Sequence, residues 1–127
     1  MDQALVVEDR FKAGATLLRR LDEVHFSVND ALWLRAQDED DWRLWLSSTL
    51  VDNQGPTAAY TRLRRILRGS QAGDLDLRQV TVVSRNHPLL QLLRSAVRTG
   101  PGISNIRFSR NTINGTFIED AYIYRLQ

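Results

Sequence analysis

The chain has 127 residues, 43% of them hydrophobic, with 17 basic side chains, 15 acidic ones and no cysteine. That length fits one domain over residues 1–127 with an ample core, and the mixture of apolar and charged residues excludes disorder by composition; the lack of cysteine excludes disulfides, thiolate nucleophiles and thiolate metal ligands. The near-balanced charge hides two unlike halves: residues 1–61 carry 6 basic and 11 acidic side chains, residues 62–127 carry 11 basic and 4 acidic ones.

From Asp2 to Val24 the pattern predicts a helix. Ala4, Val7, Phe11, Ala15, Leu18 and Leu21 recur at three- and four-residue steps and form one apolar face. Gly14 weakens its middle by about 1 kcal/mol relative to alanine. The opening residues have no basic start, long apolar segment or small-residue cleavage site, so no signal peptide is expected. No run approaches the roughly 18 apolar residues that would mark a membrane span.

Two strands follow, Phe26–Ala36 and Trp42–Thr49, joined by the charged turn Gln37-Asp38-Glu39-Asp40-Asp41. Their cores, Ala31–Leu34 and Trp42–Leu46, show little polar alternation, which predicts cover on both faces. Residues 51–57 connect to a helix that Pro56 opens and that ends near Arg68, with Tyr60, Leu63 and Leu67 as its stripe. Residues 69–77 read as a loop. Gln79–Val83 is a short strand, and Pro88 opens a third helix after Ser84-Arg85-Asn86-His87. Thr99-Gly100-Pro101-Gly102 stops that helix.

The last two strands, Ile103–Ile113 and Thr116–Leu126, flank Asn114-Gly115. This dipeptide suits a type I′ turn, whose two central residues need positive φ. A two-residue turn there sets Ile113 opposite Thr116, Phe108 opposite Ala121, Arg107 opposite Tyr122 and Arg110 opposite Glu119. The order α-β-β-α-β-α-β-β predicts an α+β fold with a mixed five-stranded sheet, three helices and a C-terminal β-hairpin.

Four constellations carry candidate chemistry. The two strand-to-helix junctions hold Asp52 and Asn53, and Ser84, Arg85 and His87. Parallel strands would bring them to one sheet end, beside helix N-termini that favour anions. There Asp52 and His87 suit an acid–base pair, with Ser84 as nucleophile and Arg85 as anion clamp; the same residue types also serve as ordinary helix caps. The acidic turn lacks the glycine and ligand spacing of an EF-hand and reads as a solvated tip. The arginine-rich half places Arg62 and Arg65, and Arg64 and Arg68, on shared faces of the second helix, a footprint suited to phosphates or to an acidic partner. All basic residues except Lys12 are arginine. High-GC coding is a sufficient reason for that preference, although arginine alone gives planar bidentate contacts. In the hairpin, Arg107, Tyr122 and Tyr124 share one side. That side would stack bases if open and would be core if a helix covers it.

Trp42 and Trp45 lie three residues apart and so point to opposite sides of their strand. Two histidines and no HExxH spacing give no zinc site, and no cofactor motif is present. These features predict a small, non-catalytic, cytoplasmic module of bacterial type that binds a protein partner or self-associates. A nucleic-acid-binding accessory protein is the alternative, and a small hydrolase at the two junctions is the third reading.

Overall fold

The apolar stripe of the N-terminal segment forms helix α1 (Gln3–Glu23), which buries Phe11, Ala15, Leu17, Leu18 and Leu21. The fold comes from a computed structural model that describes residues 3–36, 41–68 and 75–127, with side chains from residue 9 onward. α1 ends in a Schellman turn: His25 N–H donates to Asp22 O at 3.2 Å and Phe26 N–H to Leu21 O at 2.9 Å. His25 takes the left-handed position of that turn, at φ 59°. Phe26 is thereby committed to the core as part of the cap, so the first strand starts later than its apolar pattern suggests.

Strand β1 spans Asp30–Arg35 and pairs antiparallel with β2, Trp42–Ser47, with Leu32 opposite Trp45. A short helix α2 (Thr49–Gln54) follows, capped by Ser48, whose Oγ accepts from Leu50 N–H at 3.1 Å. This helix replaces the connection expected over residues 51–57, and its six residues are too few to give a periodic signal. Helix α3 (Pro56–Arg68) comes next, then a 3₁₀ turn (Leu77–Gln79) and strand β3 (Val80–Val83). Helix α4 (Pro88–Ala96), β4 (Ile106–Ile113) and β5 (Thr116–Leu126) complete the chain.

The five strands form one mixed sheet in the order β3-β2-β1-β5-β4. β2 and β3 are parallel and every other neighbouring pair is antiparallel. The sheet is covered on both faces, as its near-continuous apolar strands require. On one side α1 and α3 pack on Trp33, Trp42, Leu44, Leu46 and Val82. On the other, Leu90 and Leu93 of α4 pack with Leu32, Ala121, Ile123 and Leu126. Trp42 and Trp45 divide between these two sides. Among the described residues no helix is long and apolar enough to cross a membrane.

Gly14 permits the close approach of α1 to the sheet. A Cβ at this position would lie 2.5 Å from both Trp33 Nε1 and the Tyr124 hydroxyl. The helix-weakening residue is therefore what lets a Trp–Tyr hydrogen bond lie directly beneath α1.

The hairpin register follows the Asn114-Gly115 turn: Ile106 faces Ile123, Arg107 faces Tyr122 and Phe108 faces Ala121. One expected contact is corrected. Arg110 sits at φ 48° and does not pair with Glu119, whose carboxylate meets Arg35 at 3.3 Å instead. A register shift against β1, between Ala31 and Leu32, turns both Tyr124 and Arg125 toward α1. Asp38–Asp40 of the acidic turn and residues 69–74 of the loop lie outside the described residues.

Candidate functional site

The parallel pairing of β2 and β3 brings both junctions to one end of the sheet, where Ser48 N–H donates to Val83 O at 3.1 Å. Asp52 lies in the first turn of α2, not in a loop before a helix. Its Oδ1 accepts from Ser84 Oγ at 2.6 Å, and Ser84 Oγ in turn accepts from Asn86 N–H at 3.1 Å. Asn53 is exposed beside it and makes no side-chain hydrogen bond among the described residues. Arg85 is also exposed, and its Nη2 reaches Gln127 O at 3.4 Å. The structure thus brings Asp52 and Ser84 together.

His87 makes no side-chain hydrogen bond to Asp52 or Ser84 among the described residues. It caps α4, with Nδ1 accepting from Leu89 N–H at 3.1 Å. Its Nδ1 is thus engaged by the first turn of α4. Its ring also stands edge-on to Trp45, with centroids 5.1 Å apart. The Ser84–Asp52 hydrogen bonds bind α2 to the β3–α4 turn.

Behind this exposed layer lies a buried polar network that sequence reasoning missed. Asp30 is fully buried. It accepts from Ser47 Oγ at 2.6 Å, from Arg94 Nη1 at 3.0 Å and from Gln127 N–H at 3.0 Å. Arg94 Nη2 also donates to Arg85 O at 2.6 Å. One carboxylate thus ties β1, β2, α4 and the end of β5. The available signal was a charged residue opening an otherwise apolar strand, which demands a partner once buried.

The two oppositely charged halves meet inside the fold. Arg35 pairs with Glu119, Arg94 with Asp30, and Arg125 with Asp22, each pair crossing from one half to the other. Arg125 is 4% exposed and also donates to Val28 O and Gly102 O. Within the hairpin, Arg107 grips Asp120 in a fork, with Nε and Nη2 each 2.6 Å from a carboxylate oxygen. This charge-assisted contact raises the Arg107 pKa above its ordinary value. The guanidinium also lies 5.4 Å from the Phe11 ring and 5.5 Å from Trp42.

The tyrosine side of the hairpin is not an open stacking platform. Tyr124 is 1% exposed. Its hydroxyl accepts from Trp33 Nε1 at 3.0 Å and donates to Phe11 O. Burial is the main cause of its raised pKa, and the Trp33 hydrogen bond opposes it. Tyr122 stacks on Phe11 at 4.0 Å and donates to Asn105 Oδ1 at 2.9 Å. α1 covers this face, so Tyr124 is withdrawn from any partner surface, while Arg107 and Tyr122 are held by contacts within the chain.

α3 differs. Arg62 is anchored: Nη2 donates to Val24 O at 3.3 Å, and the guanidinium lies 5.7 Å from the Phe26 ring. That site is the carbonyl end of α1, where positive charge is favoured. Arg64, Arg65 and Arg68 are exposed, and none has an ion pair among the described residues. The helix itself contains no acidic residue. Comparison with protein-family models, with curated proteins and with solved structures gives no match.

Proposed function

We propose that this chain is a non-catalytic interaction module that docks an acidic protein surface against the outer face of α3. The observation that carries the reading is the distribution of arginine. Arg125, Arg94, Arg35 and Arg107 are consumed by Asp22, Asp30, Glu119 and Asp120 in turn. Arg64, Arg65 and Arg68 remain exposed on one helix with no carboxylate among the described residues to neutralise them. Guanidinium groups placed this way recognise carboxylates in bidentate fashion and steer association at low salt. The covered tyrosines and the capping role of His87 support this reading over base stacking and over hydrolysis.

The test is affinity capture at low salt with the intact chain and with the triple variant R64E/R65E/R68E. Acidic proteins retained by the first, released by added salt and lost by the second are the expected result. Retention that survives the substitutions, or no retention by either, overturns the proposal. A phosphate backbone suits the same unneutralised row of arginines. Duplex and single-stranded oligonucleotides therefore belong in the same experiment. Binding to them alone, with affinity falling steeply with salt through counterion release, would favour nucleic acid as the partner.

A further inference from the structure

A second feature lies at the other end of the sheet and is independent of the α3 reading. An open cleft of about 510 Å³ forms where β2 begins and where the 3₁₀ turn leads into β3. Arginines from three separate elements line it: Arg10 from α1, Arg43 from β2 and Arg78 from the 3₁₀ turn. Trp42, almost wholly buried, belongs to the same lining, and Asp41 sits exposed beside it.

The three arginines are held unequally. Arg78 is bound by Asp76, with Nε at 3.1 Å and Nη2 at 2.9 Å from Oδ2, and that carboxylate also caps the turn through Arg78 N–H. Gln79 Oε1 closes the reciprocal bond to Asp76 N–H at 3.1 Å, so the turn is fixed by a capping box. Asp76 therefore neutralises Arg78 and leaves its Nη1 as the spare donor. Arg43 uses only Nε, on Thr81 Oγ1 at 3.1 Å, and keeps both Nη groups. Arg10 has no hydrogen bond or ion pair among the described residues. Its guanidinium lies 5.8 Å from the Trp33 ring, a cation–π contact that orients the group without using its N–H donors.

Arg10 and Arg43 are thus the cations of the lining without an ion pair among the described residues, and with Asp41 counted the cleft carries a net charge of about +1. A phosphate monoester carries about −1.5 to −2 at neutral pH and offers three acceptor oxygens, matching two guanidiniums plus a spare donor. The cleft falls in the range of about 300–1,000 Å³ typical of small-molecule sites and is larger than inorganic phosphate needs. Asp41 can accept only from a donor, and a hydroxyl of the ligand's organic part supplies one.

We propose that this cleft binds a small phosphate ester bearing hydroxyl groups, its phosphate held by Arg10, Arg43 and Arg78 and a hydroxyl accepted by Asp41. Calorimetric titration of the full chain with ribose 5-phosphate, inorganic phosphate and ribose tests it. Ribose 5-phosphate should bind saturably, inorganic phosphate more weakly, and ribose not at all. R10Q and R43Q should each weaken ribose 5-phosphate by about tenfold, the loss expected for one charge-assisted hydrogen-bonding group. R43K should recover part of that loss because it restores charge without the fork. D41N should tighten inorganic phosphate by removing a like charge from the cleft, and should tighten the ester less because the ester also loses the acceptor for its hydroxyl. The triple variant R64E/R65E/R68E should bind the ester normally, which separates this site from α3. Unchanged thermal unfolding of R43Q, whose parent residue is exposed, keeps the comparison free of misfolding. No saturable binding of either phosphate at millimolar concentration, or binding indifferent to R10Q and R43Q, overturns the site. Equal affinity for ester and inorganic phosphate overturns the role of Asp41.

Discussion

Arg94 and Arg64 stand in the same chain under opposite conditions. Arg94 reaches a fully buried carboxylate at 3.0 Å with its own side chain 9% exposed. Arg64 and its neighbours Arg65 and Arg68 face solvent from a helix without acidic residues. The first environment makes arginine structural: removing water from a charge is costly, so the group persists only with its partners in place. The second leaves the fold indifferent to arginine and makes the side chain available to another molecule. The positive charge of the second half is therefore unevenly held, and the proposed docking rests on the exposed arginines of α3.

The strongest way to break that comparison is Asp30→Ala. It strands Arg94 in a buried position and removes the acceptor for Ser47 Oγ and Gln127 N–H. Loss of one partner from a buried pair costs about 3–5 kcal/mol. Urea unfolding at neutral pH measures it. A loss no larger than that of an ordinary surface substitution, within about 0.5 kcal/mol, would show that Asp30 is not the tie between strands.

Gly14→Ala tests the packed side of the molecule from another direction. Helix propensity alone favours the substitution by about 1 kcal/mol. The added Cβ, however, would meet Trp33 Nε1 and the Tyr124 hydroxyl at 2.5 Å, and both side chains are almost wholly buried. Overpacking of that kind costs about 1–3 kcal/mol, so a net loss of up to about 2 kcal/mol is expected in the same unfolding assay. A more stable variant would mean that α1 moves away from the sheet without penalty.

Tyr124 gives the comparison a pH axis. Burial raises its pKa above the ordinary value near 10. Above pH 10 the unfolded chain releases this proton while the folded chain retains it. The unfolded state then binds fewer protons, so the contribution is fully present below pH 10 and is lost as pH rises past it. Stability should fall across the alkaline range, with a gentler slope in Tyr124→Phe. Phenolate absorbance should show one tyrosine that ionises only as the chain unfolds. Ionisation of all three tyrosines in the folded chain would contradict the buried position.

Much of the fold was legible because its signals are local. Asn114-Gly115 sets the hairpin register, and Pro56 and Pro88 mark the starts of α3 and α4. Apolar runs at Ala31–Leu34 and Trp42–Leu46 announce a sheet covered on both faces. What was not legible depends on distant residues. Asp30 and Arg94 are 64 positions apart, and neither position alone says that they meet. Tyr124 shares a strand side with Arg107 and Tyr122 in the simple alternation, and only the close passage of α1 over Gly14 buries it. At the junctions, parallel strands implied the meeting of Asp52 and Ser84, whereas the role of His87 turned on which atom its Nδ1 faces. The cleft was invisible because Arg10, Arg43 and Arg78 come from three elements with no common spacing.

The smallest expected effect is the most diagnostic. Arg64→Ala, Arg65→Ala and Arg68→Ala should each change stability by no more than about 0.5 kcal/mol, because exposed charges without partners contribute little to folding. Removing them together relieves like-charge repulsion between Arg64 and Arg68, one helical turn apart, but withdraws Arg65 and Arg68 from the carbonyl end of α3, so the triple alanine variant should lie within about 1 kcal/mol of the parent. Added salt should stabilise the parent more than the triple variant, since screening relieves only repulsion that is present. A drop of about 1 kcal/mol or more for any single substitution would place that arginine with Arg94 among the structural ones. If all three leave the fold unchanged and abolish capture of an acidic partner, the division between Arg94 and Arg64 is a division between folding and function.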